Sequence, residues 1–244
     1  MKKINRRSFI KVGYGVVFGT AIGPGITLLQ TRAEGSSKSA SSENRWGMVI
    51  DSNRCTEDCT ACIDSCRTEN NVPLFGDPRF DSHWIRKVKA VPKTGGQTRY
   101  LPMLCNHCEH PTCQHVCPVA ATFTRKDGIV LIDEHRCIGC RYCMIACPYK
   151  ARTFIFKKTE KWPNPDVPKR SKGVVEKCNF CVNRIDKGKL PACVKACADK
   201  GENAMIFGNL NNPDSGISWY LRQYAPKQLR ADLGLEPKVY YRGI

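Results

Sequence analysis

The sequence predicts an α+β fold, built as two tandem cysteine-loop modules with long loop insertions. Three observations predict it. The chain has 244 residues and 16 cysteines, which fall in four groups of four with none left over. Short apolar segments, partly β-branched or aromatic, flank the groups and read as strands. The last two cysteines of every group stand at i and i+4, which places both on one face of a helical turn.

The chain opens with MKKINRRSFIKVGYGVVFGTAIGPGITLLQTRA, a basic start followed by an uncharged stretch. Arg6-Arg7-Ser8-Phe9-Ile10-Lys11 matches the twin-arginine export signal, so residues 1–33 are read as a signal peptide. The stretch is too short and glycine-rich for a transmembrane helix. Residues 34–45 form a polar, serine-rich linker, and residues 46–244 form the folded body. Export of an already folded protein bears on the cysteines. A cysteine-rich exported chain is otherwise read as a disulfide scaffold, whereas folded export lets thiolate-bound cofactors be built in the reducing cytoplasm first.

Along the body, strands are expected at 46–51, 100–104, 128–133, 153–157, 174–176 and 204–208, each next to a cysteine group. Residues 70–99 and the proline-rich 158–173 read as loop insertions, the latter an extended, solvated strap. Residues 215–224 read as a short helix with Asp214 as N-cap, and 238–242 as a final strand. Little conventional core is visible, so bound cofactors would have to act as the core.

The groups are Cys55, Cys59, Cys62, Cys66; Cys105, Cys108, Cys113, Cys117; Cys137, Cys140, Cys143, Cys147; and Cys178, Cys181, Cys193, Cys197. The third, CIGCRYCMIACP, is the C-x2-C-x2-C-x3-C-P run of proteins holding two four-iron clusters, in which the fourth cysteine ligates the other cluster. Three closely spaced thiolates reach three corners of a cube, and the fourth must come from elsewhere. Zinc explains the pairs Cys178/Cys181 and Cys193/Cys197 but not a three-cysteine run closed by Cys-Pro. Disulfides explain the even count but not the dense spacing. The fold expected is therefore α+β, tandem ferredoxin-like 2[4Fe-4S] modules with four [4Fe-4S] clusters.

Pairing follows from an asymmetry. Groups two and three end in Cys-Pro, at Pro118 and Pro148, whereas Arg67 and Ala198 follow groups one and four. If clusters come in pseudo-twofold pairs, Cys105, Cys108 and Cys113 share a cluster with Cys147, and Cys137, Cys140 and Cys143 take Cys117. Likewise Cys55, Cys59 and Cys62 take Cys197, and Cys178, Cys181 and Cys193 take Cys66. Group one, CTEDCTACIDSC, carries one extra residue between its first two cysteines. That displaces Cys55 by at most about 3.6 Å of chain, which a bulge in 56–58 absorbs.

The formal charge of +17 raises the question of nucleic acid or an anionic surface. Six basic residues and no acid fall in positions 1–33, and without them the balance is 33 basic against 22 acidic, or +11. Four clusters, each about −2 with its thiolates, would bring the body near about +3. Most of the excess thus reads as balance for buried anionic clusters. No nucleic-acid motif accompanies it.

From position 46 onward the chain resembles the four-cluster electron-transfer subunits of the dimethyl sulfoxide reductase and polysulfide reductase type. The carrying stretches are CTACIDSCRTENNVP, LCNHCEHPTCQHVCPVAATF, GIVLIDEHRCIGCRYCMIACPYKAR and KGVVEKCNFCVNRIDKGKLPACVKAC. Within that family it is most similar to the exported O subunits of Dsr MKJOP, or Hdr-like menaquinol oxidoreductase, complexes, which share the wider first gap of group one. The resemblance implies the same crossed pairing. It also implies an integral-membrane, quinone-handling subunit and a multihaem cytochrome c as partners. The wider heterodisulfide-reductase-like complex would link menaquinol oxidation to sulfur metabolism, with this chain on the periplasmic side.

On this reading the chain is a relay without substrate chemistry of its own. It carries neither a nucleotide fingerprint nor a strained serine motif. The five histidines (His83, His107, His110, His115, His135) are read as supports or surface groups, because the cysteine quartets are already complete. A second reading places the same module beside a molybdopterin reductase, distinguished by gene neighbourhood. A third, from another class, is a zinc-stabilised interaction protein, distinguished by metal and sulfide content.

Overall fold

The structure is a computed structural model that describes residues 40–93, 95–158 and 162–244. The expected export signal and the first half of the linker lie outside the described residues. Among the described residues, no helix is long and apolar enough to cross a membrane.

The elements run β1 (Trp46–Asp51), α1 (Ala61–Asn70), β2 (Arg86–Ala90), β3 (Arg99–Met103), α2 (Thr112–His115), β4 (Thr122–Thr124), β5 (Val130–Ile132), α3 (Tyr142–Ile145), β6 (Thr153–Phe154), β7 (Val175–Glu176), α4 (Val182–Ile185), α5 (Ala192–Lys200), β8 (Met205–Asn209), α6 (Gly216–Tyr224), β9 (Lys227–Gln228) and β10 (Val239–Arg242). This is the expected α+β class. One four-stranded sheet, in the order β8-β1-β10-β9, is accompanied by three two-stranded ladders, β2-β3, β4-β5 and β6-β7.

The strand β1 sits inside the larger sheet, antiparallel to β8 and parallel to β10. Its sequence WGMVID is apolar on both faces because both are covered. Met48 and Ile50 point into the main core, and Val49 points the other way, onto Ile217 and Tyr220 of α6. This is the period-two geometry of a strand. The antiparallel ladder of β1 and β8 also joins the start of group one to the end of group four, the pairing that the sequence asymmetry anticipates.

The prolines explain why the cysteine turns differ. In α1 and α5 the helix runs through both of the last two cysteines of its group, Cys62 and Cys66, Cys193 and Cys197. In groups two and three it lasts a single turn and stops before Cys117 and Cys147. Each of those cysteines precedes a proline, whose ring disfavours helical dihedrals in the residue before it.

Several expectations change. Residues 70–99 are not a plain insertion: they contain β2 and the buried Trp84 and Ile85. The strand expected over 153–157 is shorter: its ladder covers Thr153 and Phe154, and Ile155 extends it through backbone hydrogen bonds with Val174 and Gly173. The cap of α6 is Ser215, whose hydroxyl accepts from the Ser218 N–H at 3.3 Å, and not Asp214. Ser215 has the extended backbone that an N-cap needs. The proline-rich segment is largely solvated, as expected, but it is also tied down at particular residues. Asn71 donates to the Asn164 and Val167 carbonyls at 2.8 and 3.1 Å, and the Arg170 guanidinium lies 4.8 Å over the Trp84 ring. A conventional core also exists. Trp84, Ile85, Leu104, Ile129, Phe180, Val239 and Tyr241 are buried together with Cys62, Cys66, Cys105, Cys178, Cys193 and Cys197.

Candidate metal centre

The sixteen sulfurs gather into four neighbourhoods, and none is made from a single group. One recess of about 340 Å³ is lined by Cys105, Cys108 and Cys113 of group two and by Cys147 of group three. A second, of about 320 Å³, is lined by Cys137, Cys140 and Cys143 of group three and by Cys117 of group two. The other two show in the electrostatics. Burial pushes the Cys62 thiol up to about 12, with Cys197, Cys55 and Cys59 adding to the rise. Burial likewise raises Cys193, reinforced by Cys181, Cys66 and Cys178. In each neighbourhood, then, the fourth cysteine of one group stands with the first three of another.

The neighbourhoods also touch in sequence. Cys62 adds to the rise of both Cys66 and Cys193. Cys105 acts on Cys178, and Cys113 acts on Cys143. The order is therefore the Cys55 set, the Cys178 set, the Cys105 set and the Cys137 set.

The donors suit a thiolate-bound polynuclear group. Among the described residues, no three His, Cys, Asp or Glu side chains converge tightly enough to seat one metal ion. In the Cys105 and Cys137 quartets the sulfurs instead line recesses. Burial holds Cys66, Cys178 and Cys193 far above the ordinary thiol range, outweighing the Asn70 amide at Cys66 and the Phe180 N–H and Lys177 at Cys178, which favour the anion. Thiolates there need metal charge.

Backbone and amide donors already point at the sulfurs. The Ala121 N–H donates to Cys117 Sγ at 3.2 Å, and the Ala204 N–H to Cys197 Sγ at 3.1 Å, corresponding positions in the two halves. Burial acts to raise Cys117, but the N–H groups of Thr122, Val119 and Ala121 outweigh it and the thiol is lowered. The Asn70 amide donates to Cys181 Sγ at 3.5 Å.

Basic side chains complete the surroundings. The Lys87 ammonium, from β2, donates to the carbonyls of Thr56, Glu57 and Cys59 and so holds the enlarged loop of group one. Lys177 donates to Val130 and Cys178 carbonyls, and Lys238 donates to Gly128 O at 2.8 Å and pairs with Glu109 at 2.7 Å. Arg152 is buried and lines both recesses of the middle module.

The two halves meet through His107 and Phe180, stacked with ring centroids 3.7 Å apart. Each is the second residue after the first cysteine of its group, and each has positive φ. His107 is fully buried, and its Nδ1 accepts from the Val130 N–H at 3.1 Å, a support role as anticipated. His83 bonds Arg67 at 2.9 Å, and His110 lies 3.7 Å from Glu236.

Sequence reasoning missed Lys87, Arg152, Asn70 and Phe180. Asn70 carries a usable signal, since it stands one helical turn after Cys66. Lys87 carries none, because its loop lies far from it in sequence.

A profile described as a 4Fe-4S dicluster domain matches residues 97–209. The chain is 45% identical to "Hdr-like menaquinol oxidoreductase iron-sulfur subunit 1" of Archaeoglobus fulgidus, over 98% of this chain and 97% of that one. It is 43% identical to an iron-sulfur subunit of Halobacterium salinarum assigned to a dimethyl sulfoxide reductase, over 80% and 78% of the two chains. It is 36% identical to "Menaquinone reductase, iron-sulfur cluster-binding subunit" of Nitratidesulfovibrio vulgaris, over 81% and 88%.

Proposed function

Because this chain belongs to the 4Fe-4S dicluster family of iron–sulfur subunits, we propose that it is the electron-transfer subunit of a membrane-bound, menaquinol-linked oxidoreductase complex. When bound, each [4Fe-4S] cluster supplies a one-electron couple. The chain's own residues hold four of them in line. Cys55, Cys59, Cys62 and Cys197 take the first; Cys178, Cys181, Cys193 and Cys66 the second. Cys105, Cys108, Cys113 and Cys147 take the third; Cys137, Cys140, Cys143 and Cys117 the fourth. The observation that carries this reading is the crossed arrangement of sulfurs, with every quartet drawn from two groups. The N–H donors and buried cations around the sulfurs set the potentials.

The twin-arginine motif supports export to the periplasmic side. Similarity over nearly all of the chain to the Archaeoglobus protein supports a menaquinol-linked assembly. That assembly includes an integral-membrane quinone subunit, a multihaem cytochrome c and a heterodisulfide-reductase-like module engaged in sulfur metabolism. Ile138, Tyr142 and Ile145 are exposed beside the Cys137 set and give one end of the relay an apolar face for a partner. A second reading, service to a molybdopterin reductase, is favoured by the similarity to the Halobacterium protein.

Anaerobic purification from the native membrane tests both. Iron and acid-labile sulfide should match four cubes, EPR should resolve four clusters, and a cytochrome c with a quinone-handling subunit should accompany the chain. A molybdenum subunit in their place would favour the second reading. A colourless, zinc-containing chain without sulfide would end both.

A further inference from the structure

Arg152 follows the Cys147-Pro148 corner and leads directly into β6, and its side chain is buried at 5% exposure. It lines the recess of Cys105, Cys108, Cys113 and Cys147 and also that of Cys117, Cys137, Cys140 and Cys143. One guanidinium nitrogen donates to Thr122 Oγ1 at 3.2 Å, and the other terminal nitrogen is buried without a hydrogen-bond partner, sulfur included, among the described residues. A guanidinium carries five N–H donors in a fixed fork. A buried cation that lacks a matching anion is costly, and here the charges nearest to it are sulfurs: Cys113, Cys143 and Cys105. Cys113 belongs to one quartet and Cys143 to the other. The sequence places them equivalently, each the third cysteine of its group.

We propose that Arg152 is a positioning residue shared by two metal centres. Its guanidinium sits between Cys113 of one quartet and Cys143 of the other, and its fixed charge raises both reduction potentials together. The inference rests on the four-cluster reading above. A positive charge favours the more negative, reduced state of whatever it faces, and N–H···S bonds do the same by drawing density from sulfur. Arginine suits the role because it cannot deprotonate and because its planar fork can address two sulfurs at once. Among the described residues, the Cys55 and Cys178 quartets share no cation of this kind. Asn70 stands on Cys66 and Cys181, which belong to one quartet, and it is neutral.

The test is a potentiometric EPR titration of the purified complex, wild type against R152Q and R152K, with iron and sulfide measured on each. R152Q should lower two of the four midpoint potentials by at least a tenfold change in the oxidised-to-reduced ratio, which is 59 mV for a one-electron couple. The other two should stay in place. R152K, which keeps a charge but loses the fork, should shift the same two by less. Unmoved potentials in a fully loaded R152Q, or equal shifts at all four clusters, would overturn the proposal. If R152Q loses iron, R152K decides alone, and wild-type potentials in that variant would also overturn it. A wild-type complex without four clusters would instead end the reading on which the proposal stands.

Discussion

The ammonium of Lys87 donates to the Thr56 carbonyl at 2.9 Å and to the adjacent Glu57 carbonyl at 3.0 Å, clamping the loop that separates Cys55 from Cys59. The extra residue of group one is therefore not slack. It turns its carbonyls toward a cation supplied by another strand. Lys87 also acts to lower the Cys55 and Cys62 thiols, opposing part of what burial does to them. Lys87→Met should release the loop at a cost of about 1.5–3 kcal/mol, the usual worth of a charge-assisted hydrogen bond. The expected result is selective loss or broadening of one EPR signal with the remaining iron retained. Uniform loss across all clusters would show that the clamp is not local.

The same geometry makes a claim about Cys55. Its sulfur lies near Cys59 and Cys197, within the set that includes Cys62. Cys55→Ala should convert or remove that one cluster and leave three spectra intact. An unchanged iron content and EPR spectrum would mean that Cys55 is not a ligand.

Gly139 sits inside the Cys137 loop with φ of +70°, and a Cβ there would run into the Gly173 carbonyl. Both the dihedral and the close approach of the strap require glycine. Gly139→Ala should cost roughly 1–3 kcal/mol of local strain. The lesion should appear at the cluster of Cys117, Cys137, Cys140 and Cys143 first, as faster loss of its signal on exposure to air. Gly188→Ala, at a site with a similar φ of +69° but open space around it, controls for the dihedral alone.

Asp51, at the end of β1, accepts from the Tyr220 hydroxyl at 2.7 Å, from Arg242 at 3.1 Å and from the Asn53 side chain at 2.9 Å. Burial acts to raise its carboxyl, but these hydrogen bonds and the Arg242 charge win, and it is held below the usual range. The folded value is thus lower than the unfolded value of about 3.9. Its contribution is full above that pH and is lost as pH falls through the folded value. Asp51→Asn should lower stability near neutrality by about 1–3 kcal/mol and flatten part of the decline below about pH 4. Thermal midpoints of the loaded protein between pH 3 and 7 measure both effects. Parallel curves for the two proteins would exclude Asp51 as the titrating group.

The strong periodicities were legible. Cysteine spacing gave the helical turns, and Pro118 and Pro148 gave their ends, because both are local effects. The strand β2 was hidden because RKVKA is half charged, and it lies exposed against β3. The exposed strap's anchoring was hidden because Asn71, which pins it, is far away in sequence and is an ordinary helix-end residue until its partners are known. Arg152 and Lys87 were invisible for the same reason. Their roles depend on what three-dimensional closure brings beside them, whereas the sulfurs announce themselves by spacing alone.

The place of β1 between β8 and β10 governs when the protein can finish folding. During synthesis, residues 46–51 have no ladder partner until 205–209 and 239–242 have left the ribosome. The β4-β5 hairpin between groups two and three needs only a few residues to close. The middle of the chain is therefore the first part able to assemble, and the loop of group one must wait for 205–209 before β1 gains its first neighbour. A truncation removing only the final strand would leave β1 paired on one edge alone, so β10 closes the second edge of the strand that leads into the earliest-made cysteines.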